Sequence, residues 1–278
     1  MTGVTTFIGG GNMACALAGG MLARGARPDE IRVVEPMAAQ REKLSARFSG
    51  IGVHAECDAA TMAGTGLVVF AVKPQQMRDA ARAVAPHLVR APEIVVLSIA
   101  AGIRIADLAR WLGSHRRIVR AMPNTPALIG KGISGVFAVA GVDAAERKRC
   151  TAVLEAGGEV VWVADEAMLD AVTGVSGSGP AYVFYFLEAL ERAAREQGFP
   201  PDDARRFAYA TFDGAIALAK ASAEDPATLR AQVTSKGGTT AAALASMDAA
   251  AVKDEIVAAV AAAAKRAREL GDEFGGDA

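Results

Sequence analysis

The chain has 278 residues, of which 52% are hydrophobic and 22% are charged, and its formal net charge is −1. This composition is typical of a globular protein with a substantial core, and the length is sufficient for two domains. The near-neutral charge, without blocks of like charge, argues against a nucleic-acid or anionic-membrane partner. No apolar run is long enough to cross a bilayer, and no basic leader precedes the first apolar run, so we expect a cytoplasmic protein.

Cysteines and histidines are few and scattered along the chain. The three cysteines match neither a disulfide framework nor a CxxC pair. No two of the three histidines have the spacing of metal ligands on a helix. The sequence therefore predicts no metal site.

In the first part of the chain, short β-branched runs alternate with helical patterns. Strands are predicted at Val4–Ile8, Ile31–Val34, Leu67–Val72, Ile94–Ile99, Arg117–Ala121, Ser134–Ala140 and Val160–Val163. Helices are predicted at Asn12–Arg24, Met37–Phe48, Gln75–Val89 and Ala144–Ala156. Near-continuous apolar strands that alternate with helices predict an α/β fold with a Rossmann-type, doubly wound, mostly parallel sheet over residues 1–164.

From residue 165 onward the pattern changes to alanine-rich helices alone. These helices are predicted at Pro180–Gln197, Asp202–Ala223, Pro226–Thr234, from near Thr239, and at Asp248–Leu270. We expect Asp248 to cap the last helix and Gly271 to follow its end. Residues 165–278 are thus predicted to form an all-helical domain, whose small side chains suit an interlocking dimer as well as a monomeric core.

The first strand runs into the motif G-x-G-x-x-A, followed by a helix. Gly9 permits a tight turn, Gly11 lets the backbone approach a pyrophosphate, and Ala14 allows the helix to pack closely on the strand. The helix N-terminus attracts the anion. The motif predicts a dinucleotide site, the alternative being a glycine-rich turn in an unrelated α/β protein.

Glu35 ends the second predicted strand, where an acid usually holds the adenosine ribose hydroxyls. A carboxylate at this position repels the 2′-phosphate of NADPH and favours NADH, whereas the nearby Arg41 reduces that repulsion. The alternative for Glu35 is a solvated acid without a ligand. The sequence leaves the choice between NADH and NADPH open.

Further loops follow the carboxyl ends of predicted strands, where open α/β sheets bind ligands. Ala71–Pro74 places Lys73 near the cofactor phosphates or ribose, and Ser98–Gly102 has small side chains that leave room for a nicotinamide. Arg120–Pro126 has two prolines that fix the shape of a ligand wall. Val233–Thr240 places two glycines before two threonines at a helix start, which exposes N–H donors for a carboxylate.

These motifs resemble those of pyrroline-5-carboxylate reductases in order and spacing, over essentially the whole chain. The matching stretches are Gly9–Ala14, Ala71–Pro74, Ala121–Ala127, Val172–Tyr182 and Val233–Thr240. The resemblance implies a C-terminal dimerisation domain, a homodimer that often assembles further, and reduction of 1-pyrroline-5-carboxylate to L-proline with NADPH or NADH.

The resemblance also implies roles for individual residues. The catalytic residue is Thr240, whose hydroxyl lies beside the ring nitrogen of the substrate. The substrate-binding residues are Ser178, Gly238, Thr239 and Thr240. The cofactor-binding residues are Ile8, Gly9, Gly10, Gly11, Asn12, Met13, Glu35, Asp58, Ala71, Val72, Lys73, Pro74, Ile99, Ala100 and Ala101. Two positions depart from the family pattern: Lys236 replaces a frequent proline, and Asp58 replaces a common asparagine.

Three alternatives share the two-domain plan: two other dehydrogenases and a homologue that is not an enzyme. A β-hydroxyacid dehydrogenase would carry a catalytic lysine on the helix after the glycine-rich turn, yet the first basic residue of that helix is Arg192. An F420-linked dehydrogenase leaves the loop Ser235–Thr240 unexplained. A nucleotide-sensing homologue would be expected to lose that loop or the Gly11 turn, and both are present.

Overall fold

The computed structural model describes residues 3–275. These residues form an eight-stranded sheet in the order β3-β2-β1-β4-β5-β6-β7-β8. The strands are β1 (Val4–Ile8), β2 (Ile31–Val34), β3 (Gly52–His54), β4 (Thr65–Phe70), β5 (Val95–Ser98), β6 (Ile118–Met122), β7 (Gly132–Ala138) and β8 (Gly158–Trp162). Neighbouring strands are parallel except β6 and β7, which are antiparallel.

The α-helices within residues 3–275 are α1 (Asn12–Ala23), α2 (Ala38–Arg47), α3 (Ala59–Met62), α4 (Met77–Arg90), α5 (Ile105–Trp111), α6 (Ala144–Glu155), α7 (Met168–Val172), α8 (Gly179–Glu196), α9 (Pro201–Ala221), α10 (Pro226–Gln232), α11 (Thr239–Ala249) and α12 (Val252–Gly275). A π-helical turn, Thr173–Gly177, connects α7 to α8. None of these helices is long and apolar enough to cross a membrane.

The predicted fold class is confirmed: a parallel-rich sheet precedes a region of helices alone. All seven predicted strands are present with ends shifted by two residues or fewer. The sequence analysis missed β3, which has three residues and is too short to show a periodicity. It also missed the helices α3, α5 and α7 and the reversed direction of β7.

Two expectations about the last helix are wrong. Asp248 does not cap it, because this residue lies in the last turn of α11, and α12 begins only at Val252, after Ala251 with φ of +50°. Gly271 lies inside α12 rather than beyond its end. Arg104 packs against it, with the guanidinium 3.2 Å from where a Cβ would lie.

Alternate residues of the central strands face opposite sides of the sheet, and this alternation builds two cores. Leu67 and Val69 of β4 belong to the cluster beneath α1 and α6, whereas Val68 and Phe70 belong to the cluster beneath α4 and α5. All four side chains are fully buried. Helices on both faces thus make β4 apolar along its length, as in other doubly wound sheets.

Contacts divide the chain into two compact units. The sheet unit comprises residues up to Ser178 together with those from Ala262 onward, and the helical unit comprises Gly179–Ala261. In the sheet unit, Arg104 forms an ion pair with Asp272 at 2.7 Å, which anchors the end of α12. In the helical unit, α8 packs on α9. The predicted domain boundary at residue 164 marks the end of the strands and stays a prediction.

Candidate functional site

A cleft of about 980 Å³ opens in the sheet unit at the carboxyl ends of β1, β2 and β4. The strand order reverses at β1, which pairs with β2 on one side and β4 on the other. This is the topological switch point, where open α/β sheets bind their ligands. Nine of the predicted cofactor residues line the cleft: Ile8, Gly9, Gly10, Gly11, Asn12, Glu35, Ala71, Val72 and Lys73.

The glycines of the turn after β1 lie in different surroundings. Gly9 has φ of +98°, and a Cβ there would lie 2.8 Å from Val72 and 3.0 Å from the carbonyl of Ala71. Gly11 is the N-cap of α1, no side chain caps it, and a Cβ there would meet no atom within 4 Å. The amino end of α1 therefore presents backbone N–H groups to open space, which suits a pyrophosphate.

Glu35 is buried, with 9% of its surface exposed, so it is not a solvated acid. Its carboxylate accepts hydrogen bonds from the N–H groups of Gly10 and Met37, both at 2.9 Å. Arg41 donates to the carbonyls of Glu35 and Pro36, at 2.9 and 2.7 Å. Glu35 thus connects the end of β2 to the glycine turn, and Arg41 is held by backbone carbonyls of the same strand end.

Sequence reasoning missed the helical walls of the cleft. It considered the ends of strands, where local motifs occur, whereas side chains facing the cleft from α2 and α4 have no motif. The residues missed in this way include Met37, Gln40, Lys43, Gln76, Asp79, Ala80, Ala83 and Val84. The Gln40 side chain donates to the carbonyl of Gly10 at 2.6 Å.

Cys57 also lines the cleft and is half-buried. Burial, and secondarily the negative charge of Asp58, raises the pKa of its thiol to about 11. The thiol is therefore mainly protonated near neutral pH, and its reactive thiolate form is disfavoured at this wall.

Six predicted cofactor residues do not line this cleft: Met13, Asp58, Pro74, Ile99, Ala100 and Ala101. Asp58 instead caps α3, where its carboxylate accepts the N–H of Thr61 at 2.7 Å. That backbone hydrogen bond is the main cause that lowers the pKa of Asp58. Contact between these six residues and a cofactor stays a prediction.

The predicted substrate residues occur in both units. Ser178, in the sheet unit, follows the π-helical turn and donates its N–H to the carbonyl of Thr173 at 2.8 Å. In the helical unit, Gly238 is the N-cap of α11, and no side chain caps it. Thr239 and Thr240 are the first two residues of that helix, so their N–H groups have no carbonyl partner within it.

Comparisons with known proteins agree with this arrangement. The family model described as "Pyrroline-5-carboxylate reductase dimerisation" matches residues 166–270. A second model, described as "NADP oxidoreductase coenzyme F420-dependent", matches residues 5–102, which contain the glycine turn.

Relatives match over the full chain. A pyrroline-5-carboxylate reductase of Pseudomonas aeruginosa is 44% identical over 97% of both chains. The structure of such a reductase from Coxiella burnetii has a TM-score of 0.91 and 34% identity, covering 97% of this chain and 99% of that one. The Plasmodium falciparum enzyme, solved with NADP bound, has a TM-score of 0.84 and 26% identity, covering 97% and 98%. On this evidence the chain belongs to the pyrroline-5-carboxylate reductase family.

Proposed function

We propose that the protein reduces 1-pyrroline-5-carboxylate to L-proline, the last step of proline biosynthesis, with NADPH or NADH as the hydride donor. The observation that carries the proposal is the combination of a glycine-turn cleft at the switch point with the uncapped start of α11 in a member of this family. The first feature suits a dinucleotide, and the second suits a small carboxylate.

The residues present fit the cofactor. Gly9 and Gly11 have no side chains that would block access to the backbone at the amino end of α1. Ile8, Gly10 and Asn12 line the cleft at the same place, where the pyrophosphate would bind. When bound, the nicotinamide cofactor supplies the hydride, and the protein supplies position and charge.

On the substrate side, the N–H groups of Thr239 and Thr240 hold the carboxylate, with Gly238 beside them and Ser178 as a further contact. The amino end of α11 carries a partial positive charge that stabilises the anion. The Thr240 hydroxyl donates a hydrogen bond to the ring nitrogen. Since a cyclic imine is basic enough to be protonated from water, the main task left to the protein is to orient the substrate for hydride transfer.

We further propose a cytoplasmic homodimer formed through the helical unit. The helices of this unit expose many large apolar side chains, among them Val183, Phe184, Tyr185, Phe207, Tyr209, Ile216, Leu218 and Val257. Large exposed apolar surface is characteristic of interaction sites when it is contiguous, and the number of such side chains in this unit supports an interface here. The match to a dimerisation family model supports a second copy as the partner.

The test is an assay at 340 nm with purified protein and 1-pyrroline-5-carboxylate, run with NADH and NADPH in parallel. We expect oxidation of at least one cofactor, and the ratio of the two kcat/KM values measures the preference. A folded protein that binds the dinucleotide but oxidises neither cofactor would contradict the proposal and point to another imine, a keto substrate or a sensing role.

Single substitutions test the substrate-binding loop and the cofactor cleft separately. Thr240→Ala should lower kcat/KM without abolishing it, because the imine is still protonated from water, and NADPH binding measured by fluorescence should not change. Gly9→Val should abolish binding of the dinucleotide, because a branched side chain collides with Ala71 and Val72. Thr228→Ala, a change in the helical unit outside the α11 loop, is the control and should keep wild-type activity.

A further inference from the structure

The turn Thr173–Gly177 is π-helical, and the sequence explains why. An uninterrupted α-helix would bring the N–H of residue 180 to the carbonyl of Ser176, but residue 180 is proline and has no N–H. The proline ring would also clash with that carbonyl. The chain instead widens by one residue, as the bond from Ser178 N–H to the Thr173 carbonyl shows. Such π-helical turns are rare and occur frequently at functional sites.

The carbonyl of Ser176, deprived of its α-helical donor, receives one from a distant residue. The Asn124 side chain donates from Nδ2 to this carbonyl at 3.1 Å. Its Oδ1 accepts the N–H of Ile133, the second residue of β7, at 2.9 Å. Asn124 has only 9% of its surface exposed, so both ends of the amide are used in a largely dry environment. The two partners also fix which way the amide points.

Asn124 lies at the ligand-binding edge of the sheet. It follows β6 by two residues, at the carboxyl end of that strand. The π-helical turn packs on the same place, since a Cβ at Gly177 would lie 2.6 Å from the Met122 side chain. Just before the turn, Val172 of α7 packs on β7, since a Cβ at Gly135 would lie 2.6 Å from its side chain. The turn is therefore pressed onto β6 and β7, and Asn124 supplies a polar contact that fixes its carbonyl.

We propose that Asn124 is a positioning residue for the substrate, acting through the carbonyl of Ser176. By holding that carbonyl it fixes the π-helical turn, and with it Ser178, at the carboxyl end of β6. The inference rests on the proposed function, because Ser178 is assigned there to the substrate. Both polar atoms of the Asn124 amide are used within the protein, so its role is indirect.

The test uses Asn124→Asp, which has nearly the same shape. The aspartate keeps an acceptor for the Ile133 N–H but, when ionised, turns a negative oxygen toward the Ser176 carbonyl. We expect KM for 1-pyrroline-5-carboxylate to rise about tenfold, which corresponds to the loss of one buried hydrogen bond. The Kd for NADPH, measured by fluorescence, should stay within twofold of the wild-type value.

The pH dependence distinguishes positioning from a general loss of stability. Burial beside a carbonyl raises the pKa of the new carboxyl, and its protonated form donates a hydrogen bond again. The ratio of variant to wild-type KM should therefore fall toward one as pH is lowered from 8 to 5. Asn124→Leu, which has neither donor nor acceptor, should show no such recovery. Thr65→Val is the control: it removes the buried Thr6–Thr65 hydrogen bond of 2.8 Å and should lower Tm without changing KM.

Amide hydrogen exchange supplies a readout that needs no activity. In Asn124→Asp at pH 8, the Ser178 amide should exchange faster than in the wild type, while the amides of β1 should not change. If the Asn124→Asp enzyme is active and both its KM and its amide exchange are unchanged, the positioning role of Asn124 is wrong, while the proposed function still stands. Inactive wild-type protein would contradict the proposed function, and the exchange rates would still decide whether Asn124 holds the turn.

Discussion

The two units of this chain differ in how they bury apolar side chains. In the sheet unit, helices cover both faces, and strands such as β4 are buried along their length. In the helical unit, α8, α10 and α11 have no buried residue, and the buried residues of α9 are two alanines, Ala204 and Ala208. The sheet unit completes its core within one chain, whereas the helical unit leaves many of its large apolar side chains exposed.

This difference indicates two sources of stability. Burying one large apolar side chain contributes about 1.5–3 kcal/mol, so the sheet unit gains its stability by folding alone. In the helical unit α8 packs on α9, but the exposed apolar side chains gain the same contribution only when another surface covers them. The stability of the helical unit should therefore depend on protein concentration, as expected for a unit stabilised by association.

The largest effect is expected from a cavity in the sheet core. Leu97 on β5 is fully buried in the cluster beneath α1. Leu97→Ala should lower the free energy of unfolding by about 3 kcal/mol, because it removes buried methyl groups and leaves a void. Urea unfolding of the wild type and the variant, at two protein concentrations, measures the loss in free energy of unfolding. A loss that changes with concentration would contradict the view that this core is complete within one chain.

A matched pair of valines tests the exposed surface of the helical unit. Val257 on α12 and Val89 on α4 are both 68% exposed in the single chain. Val257→Asp should weaken the dimer by about 2 kcal/mol, roughly thirtyfold in Kd, because association would bury the new charge. Val89→Asp should leave the dimer unchanged. Analytical ultracentrifugation measures both, and equal effects would break the proposed distinction between the units.

The smallest effects are expected from two helix caps, one in each unit. Asp58 caps α3 and Asp225 caps α10, and each accepts the N–H of a threonine three residues later. Those backbone hydrogen bonds lower both pKa values below the ordinary value of 3.8. The charged caps therefore stabilise the fold above about pH 4, and this contribution is lost as pH falls through the lowered pKa.

Asparagine at either position keeps a cap without the titration. The difference in Tm between wild type and Asp58→Asn, or Asp225→Asn, should shrink as pH falls from 6 to 3. Differential scanning calorimetry shows whether the two substitutions shift one transition or two. A difference in Tm that grows toward low pH would contradict the lowered pKa values.

Local chemistry made most of the sheet and the glycine turn predictable. Apolar runs such as Val4–Ile8 and the turn at Gly9 have signatures within a few neighbouring residues. The reversed direction of β7 has none, since β7 reads like the parallel strands. The contact between Asn124 and Ser176 joins residues 52 positions apart, so the sequence showed two unusual segments without showing that they meet. Contacts between segments far apart in the chain, and the relative direction of neighbouring strands, could not be predicted from the sequence.

Cys57 is the most accessible of the three cysteines and lines the dinucleotide cleft. Cys15 and Cys150 are buried, whereas Cys57 is half-buried in the wall of the dinucleotide cleft. With a pKa of about 11, its thiol reacts slowly near neutral pH, and alkylation should accelerate about tenfold per pH unit between 7 and 10. A single fluorophore can therefore be attached beside the cleft without mutagenesis. Protection of this thiol by NADH or NADPH would provide a direct titration of cofactor occupancy.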